Sequence, residues 1–199
     1  FHGIEVATGI ELFLTEGSSE EVAVSASNLE YRDRIVTEVV NGVLKIHYDS
    51  KLGSINKKKE NKNLKAYVSY RQLNELYANT GALVKIQGAL KSAVLDMRVN
   101  TGAQVNGQVD IKSLLVKQNT GSQVNLTGQA EKLNVEGDTG SKFRGEELLT
   151  VTCEATVSTG ANVSISAEKE LAAKANTGGI VKYKGNASIR EIKTSTGGS

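Results

Sequence analysis

The side chains in this sequence that could do chemistry are few and scattered. His2 and His47 are its two histidines and Cys153 its one cysteine. Zinc sites and Cys–His nucleophilic pairs need such residues at close, matched spacing, and here each stands apart, so neither can be assembled. Calcium-binding β-rolls stack Asp oxygens contributed by Gly-Gly-x-Gly-x-Asp repeats, whereas this chain offers isolated acids such as Asp96, Asp110 and Asp138. Its glycines punctuate strand-like runs, so there is no glycine-rich loop opening a helix to cradle phosphate. The reading therefore nominates no catalytic, cofactor-binding or metal-binding residue, and expects no cofactor.

Composition narrows the remaining classes. With 24 Lys and Arg against 22 Asp and Glu, the net charge is +2, too balanced for electrostatic capture of nucleic acid or an acidic membrane surface. There is no run of about 18 apolar residues, so no transmembrane helix is expected. A single cysteine leaves no intrachain disulfide from which an oxidising compartment could be read. The absence of Pro, the 20 Gly and short alternating runs of Val, Ile, Thr and Tyr point to an all-β chain.

The elements that would position any site are set by an internal repeat. Thr-Gly pairs stand at Thr80-Gly81, Thr101-Gly102, Thr120-Gly121, Thr139-Gly140, Thr159-Gly160, Thr177-Gly178 and Thr196-Gly197, spaced 18 to 21 residues apart. A repeat of about 20 residues predicts a solenoid, in which each coil buries its apolar face only against its neighbours. Four residues after Thr come Val84, Val105, Val124, Phe143, Val163 and Val181; four before come Leu76, Met97, Val116, Val135, Ala155, Ala173 and Ile192. Both sets are expected in the core. Six after come Ile86, Gly107, Leu126, Gly145, Ile165 and Tyr183, read as filling the interior and bending the chain by turns. Cys153 occupies a position that is Leu95, Leu114, Leu133 and Leu171 elsewhere, so it reads as a buried, inert thiol.

At each corner Gly supplies the positive φ, while the preceding Asn79, Asn100, Asn119, Asp138, Ser158, Asn176 or Ser195 can bond the turn backbone and ladder with its neighbours. Residues 1–70 read as less regular strands and hairpins. Ile4 and Val6, Ile10, Leu12 and Leu14, Val22, Val24 and Ala26, and later Ala66, Val68 and Tyr70 alternate with polar residues. Asn41-Gly42 between apolar runs predicts a hairpin, with Leu44, Ile46 and Tyr48 facing inward. Thr8-Gly9 fits the repeat, so the solenoid is expected to start at residue 1. The run 57–62 (Lys57-Lys58-Lys59-Glu60-Asn61-Lys62) reads as a solvated loop tip. The expected organisation is one domain over 1–199, with 1–70 as amino-terminal coils or cap and 71–199 as about seven regular coils.

With both regions in view, the chain resembles the family of putative auto-transporter adhesins called the head GIN domain. The resemblance rests on Phe1-His2-Gly3-Ile4-Glu5-Val6, on Asn41-Gly42-Val43-Leu44-Lys45-Ile46, on the Asn-Thr-Gly repeats, and on Tyr183-Lys184-Gly185-Asn186-Ala187 with Ser195-Thr196-Gly197-Gly198. It implies a right-handed parallel β-helix on an exported, bacterial envelope-associated protein, periplasmic or at the cell surface, with an adhesive role. It supplies no catalytic residues.

The expected function is a non-catalytic binding module that meets a glycan or protein surface ligand. The enzymatic alternative, a polysaccharide-active β-helix, needs acids and bases recurring at one coil offset, and Asp96, Asp110, Glu131, Glu136, Glu146 and Glu147 share none. A third reading is a purely structural envelope scaffold. Six Tyr without Trp make a sparse sugar-stacking surface, and an ice-binding face would need a flat Thr-x-Thr array in place of corner Thr-Gly. Asn125, Asn162 and Asn186 begin Asn-x-Ser/Thr triplets of the kind chance supplies in a chain this rich in Asn, Ser and Thr.

Overall fold

A computed structural model describes residues 1–50 and 60–199. In chain order its elements are β1 (Gly3–Val6), β2 (Glu11–Glu16), β3 (Glu21–Ser25), α1 (Leu29–Arg32), β4 (Ile35–Val40), β5 (Val43–Tyr48), β6 (Lys65–Tyr70) and β7 (Glu75–Ala78). Then come β8 (Leu83–Val99), β9 (Gln104–Gln118), β10 (Gln123–Gly137), β11 (Lys142–Val157), β12 (Asn162–Ala175), β13 (Ile180–Lys184) and β14 (Ser188–Thr194). From β7 to β13 each strand pairs parallel with its successor, and β14 pairs parallel with β12, building a β-solenoid of about six turns. Each long strand ends at one Thr-Gly corner and the next begins just beyond it, so a coil is the second half of one strand plus the first half of its successor.

The apolar ladders lie where the spacing puts them. Val84 pairs with Val105, Val105 with Val124, Val124 with Phe143 and Phe143 with Val163. All five are at most 1% exposed. Leu76, Met97, Val116 and Val135 are fully buried, and Cys153 shares the interior with Leu95, Leu114, Leu133 and Leu171. Two of the glycines also meet a packing demand. A Cβ on Gly107 would lie 2.4 Å from Ile86 Cβ, and one on Gly145 2.5 Å from the Phe143 ring, and the ladder register shifts at both places. They leave room for large neighbours. In other coils positive φ occurs eight residues after Thr, at Gly88, Gly128 and Gly185, with values of 76°, 101° and 108°.

The corners are tighter than the Gly alone implies. At the eight corner Thr-Gly pairs, including Thr8-Gly9, both residues have positive φ, with the threonines at 45–63°. In the turn 79–82 the Ala82 N–H donates to Asn79 O at 3.1 Å, so this is a type I′ turn. Each Gly N–H then donates to the Thr carbonyl of the adjacent coil at 2.9–3.1 Å, from Gly9 to Thr80 through Gly178 to Thr196. This backbone ladder ties the corners together.

The amino-terminal region forms a coil and cap, with an order that periodicity does not reveal. β1 pairs parallel with β5 on one side and β7 on the other, and β2 likewise lies between β6 and β8. The first coil made is therefore the second in the stack. Beyond it, β4 closes β5 through the Asn41-Gly42 hairpin and β3 closes β6, both antiparallel. Because β3 is the outermost strand there, Val22 is 39% exposed. α1, begun by Asn28 whose side chain accepts the Tyr31 N–H, buries Tyr31 at this end. Residues 57–59 of the expected loop tip lie outside the described residues. Of the remainder, Glu60 accepts the Tyr31 hydroxyl at 2.5 Å and the Lys62 ammonium sits 4.9 Å above the Tyr48 ring, so these two charges pack onto the cap. The last coil is covered on one side only: Tyr183, Ile189 and Ile192 are 47–50% exposed, which makes Ile192 the exception in its core ladder.

Candidate ligand-binding surfaces

Outward-facing residues of successive coils line up in columns because the parallel register places the same offset of each coil side by side. On the strand halves before the corner, one column runs Lys45, Glu5, Tyr77, Arg98, Lys117, Glu136. Neighbours of opposite sign pair: Lys45 with Glu5 at 3.8 Å and Lys117 with Glu136 at 3.4 Å, while the Arg98 guanidinium lies 5.2 Å over the Tyr77 ring. On the halves after the corner, Asn125 Nδ2 donates to Asn106 Oδ1 at 2.6 Å and Arg144 donates to Asn125 Oδ1 at 3.3 Å. Such exposed contacts each add well under about 1 kcal/mol; their main effect is to hold a flat, polar exterior.

The acids weighed from sequence are spread around this exterior. Asp96 binds Arg98 at 2.8 Å, Asp110 accepts from Gln129 at 2.9 Å, and Glu147 meets Lys184 at 3.2 Å. Glu146 and Glu147 come together with Arg144 beside a shallow depression of about 530 Å³. Glu131 is exposed on β10. His2 lies 3.8 Å from Glu75, and His47 pairs across the hairpin with Val36. Among the described residues, no group of three or more His, Cys, Asp or Glu is placed to hold a metal ion.

A constellation that the sequence reading missed lies along the pre-corner face. A groove of about 490 Å³ is lined by Leu115, Lys132, Thr152, Glu154, Glu170 and Arg190, among others. It crosses β9, β10, β11, β12 and β14. Arg190 pairs with Glu154 and stands 4.0 Å from Glu170. In sequence these three share no offset from their Thr-Gly corners. A register shift between Leu171 and Ala172 makes Arg190 the extra, unmatched residue of β14, and a bulge of this kind leaves no periodic trace.

Asp138 and Cys153 are among the ionisable groups displaced from their ordinary behaviour. Asp138 is held below the usual carboxylate range by hydrogen bonds from the Thr159 side chain, then Ser158 Oγ at 2.9 Å and the Thr139 N–H at 2.7 Å. The expected corner ladder thus exists here and at Ser195, which donates to Asn176 at 2.6 Å, while Asn79 and Asn119 cap their own turns. Burial, with Glu154 adding to it, pushes the Cys153 thiol up to about 12. Although it borders the groove, Cys153 is only 3% exposed, and a thiol so rarely ionised is a poor nucleophile.

The family model described as "Putative auto-transporter adhesin, head GIN domain" matches residues 1–187. The chain belongs to the head GIN domain family. Solved structures share its fold at low identity. A putative adhesin from Bacteroides fragilis superposes with a TM-score of 0.84 at 18% identity, over 98% of this chain and 88% of that one. A putative adhesin from Parabacteroides merdae gives 0.69 at 14%, over 98% and 89%. A putative lipid binding protein from Parabacteroides distasonis gives 0.67 at 18%, over 98% and 89%. No curated protein matches the chain. In this head GIN domain, no helix among the described residues is long and apolar enough to cross a membrane.

Proposed function

We propose that this head GIN domain is a non-catalytic adhesive module, exported to the periplasm or cell surface, which works as one unit and holds its ligand along its lateral faces. The observation that carries the reading is the groove crossing five strands of successive coils, with Lys132, Glu154, Glu170 and Arg190 on its walls and Leu115 and Ala172 between them. A shallow trough of alternating charge and small apolar patches suits an extended polymer, glycan or peptide, contacted at many weak points. The acids and bases of the trough neutralise one another, which leaves no poised proton donor and acceptor for hydrolysis or elimination. A lipid ligand, as in the name of the Parabacteroides distasonis protein, is less well supported, because Val, Leu and Phe side chains fill the interior of this chain.

The test pairs binding with turnover. Labelled domain is titrated onto intact bacteria and onto host matrix, and the same preparation is screened against polysaccharide, ester and peptide substrates. Saturable surface binding weakened by Glu154→Lys or Glu170→Lys, without turnover, is the expected result. Turnover that disappears with a single acidic substitution overturns the reading.

A further inference from the structure

On the post-corner face the column that includes Asn106 and Asn125 begins, at the capped end, with aromatic rings. Tyr67 on β6, Phe13 on β2 and Lys85 on β8 occupy one offset of three adjacent coils. The Tyr67 and Phe13 rings are stacked, with centroids 5.0 Å apart and planes 9° from parallel. That spacing is close to the distance of about 4.8 Å between neighbouring strands, so the rings lie like coins along the solenoid axis with their faces normal to it. Phe13 has both faces occupied, by Tyr67 and by the Lys85 ammonium 5.4 Å from its centroid. Tyr67 has one face on Phe13. Its other face looks toward β3, where the residue paired with it is Ala23.

An alanine side chain ends at Cβ, so the stack stops there and leaves an opening. Tyr67 is 43% exposed, and a cavity of about 240 Å³ lies at this point, lined by Tyr67, Ala23, Glu21, Thr15, Ser69 and Gln87, among others. It falls short of the roughly 300–1,000 Å³ that drug-sized ligands fill, which limits the occupant to one ring. The polar rim is partly committed: Gln87 Oε1 accepts from Thr15 at 2.9 Å, and Glu21 Oε1 accepts from Ser19 at 2.6 Å. Among the described residues, the Gln87 amide nitrogen and the second Glu21 oxygen make no such bond.

The geometry points to a subsite for a single neutral pyranose, stacked on the free face of Tyr67 above Ala23. The electron-rich face of an aromatic ring attracts the slightly positive C–H groups on the apolar side of a sugar ring. The Glu21 carboxylate, two residues along β3 from Ala23, supplies an acceptor for ring hydroxyls. A sugar bound there extends the column by one more layer. A negatively charged sugar would face Glu21, so neutral hexoses and N-acetylhexosamines fit best. This inference rests on the surface-binding reading above and adds a place and a ligand class to it.

The probes are the methyl glycosides of glucose, galactose, mannose and N-acetylglucosamine at millimolar concentration. Saturation-transfer NMR observes each sugar, and aromatic-ring shifts observe the protein. At least one sugar should receive saturation on one ring face and shift the Tyr67 resonances. Tyr67→Ala should weaken that binding at least tenfold. Ala23→Leu should do the same by filling the opening while leaving Tyr67 in place, and Tyr77→Ala, on the other face, should leave it unchanged. Failure of all four sugars, or binding that survives both Tyr67→Ala and Ala23→Leu, overturns the subsite. If the variants still bind whole bacterial surfaces at wild-type strength, the subsite is wrong and the adhesive reading stands. Loss of all surface binding by the wild-type domain would sink that reading separately.

Discussion

Threonine at every corner is costly, and the cost can be measured. Thr120 sits at φ 47° ahead of Gly121 at 69°. A β-branched residue is a genuine outlier in this left-handed region, where the clash of Cβ with the following carbonyl costs roughly 1–2 kcal/mol. The same type of turn at Asn41-Gly42, with φ 53° and 77°, uses Asn, which visits this region far more readily. Thr120→Asn should recover about 1 kcal/mol of strain. It forfeits the exposed Thr120 Oγ1 contact with Asn119 at 3.2 Å, which is worth about 0.5 kcal/mol. The net expectation is a gain of about 0.5 kcal/mol for Thr120→Asn and, since Thr101 makes no such contact among the described residues, about 1.5 kcal/mol for Thr101→Asn with Thr120→Asn, less any coupling between adjacent coils. Asn41→Thr should destabilise by about 1 kcal/mol. Urea denaturation reads this directly as a shift in midpoint at constant slope. A loss of stability in the double variant would refute the argument, and would mean that threonine packing between corners outweighs the backbone strain.

Deleting Gly102 through Thr120 rejoins Thr101 to Gly121 and should leave a shorter, cooperatively melting solenoid, whereas removing ten residues breaks the ladder; circular dichroism melts distinguish them. Val124→Asp should destabilise by at least about 3 kcal/mol, because it places an unpaired carboxylate at a fully buried position between Val105 and Phe143. Gln123→Asp, at a partly exposed position, should cost far less in the same urea titration. The lowered value of Asp138 means that its contribution to stability is present above its unfolded value, near pH 4, and is lost as pH falls through the lower folded one. Asp138→Asn, the residue found at several other corners, should therefore lose less stability than wild type as pH falls below about 4, and a flat difference over that fall would remove the assigned role.

Much of the architecture is written in local spacing. The positions four before and four after each Thr specify an inward facing in every coil, and Val84 through Val163 obey it because a one-residue slip would turn the whole set to solvent. Asn41-Gly42 and Thr8-Gly9 were legible for the same reason: both are local turn chemistry. The slot of β1 between β5 and β7 was not, since a repeat fixes what a coil looks like and says nothing of which coil it lies against. The room that Gly107 and Gly145 leave was not legible because it is set by side chains on other residues, Ile86 and Phe143. The Glu154, Glu170 and Arg190 group escaped notice because a bulge creates it. The Tyr67 face depends on a small residue, Ala23, from an antiparallel strand outside the repeat.

The interleaved first coil makes the molecule mechanically unequal at its two ends. β13 and β14 hang on the stack by one partner strand each, so tension applied through the carboxy terminus can peel coils off in turn, breaking a few hydrogen bonds at a time. Tension applied through Phe1 meets β1 clamped by β5 and β7, with its own corner bonded to Thr80. Freeing it requires both flanking ladders to give way together, a shearing event that loads many bonds in parallel. A pull on the amino-terminal strand therefore meets the firmest grip in the fold, and a pull on β14 the weakest.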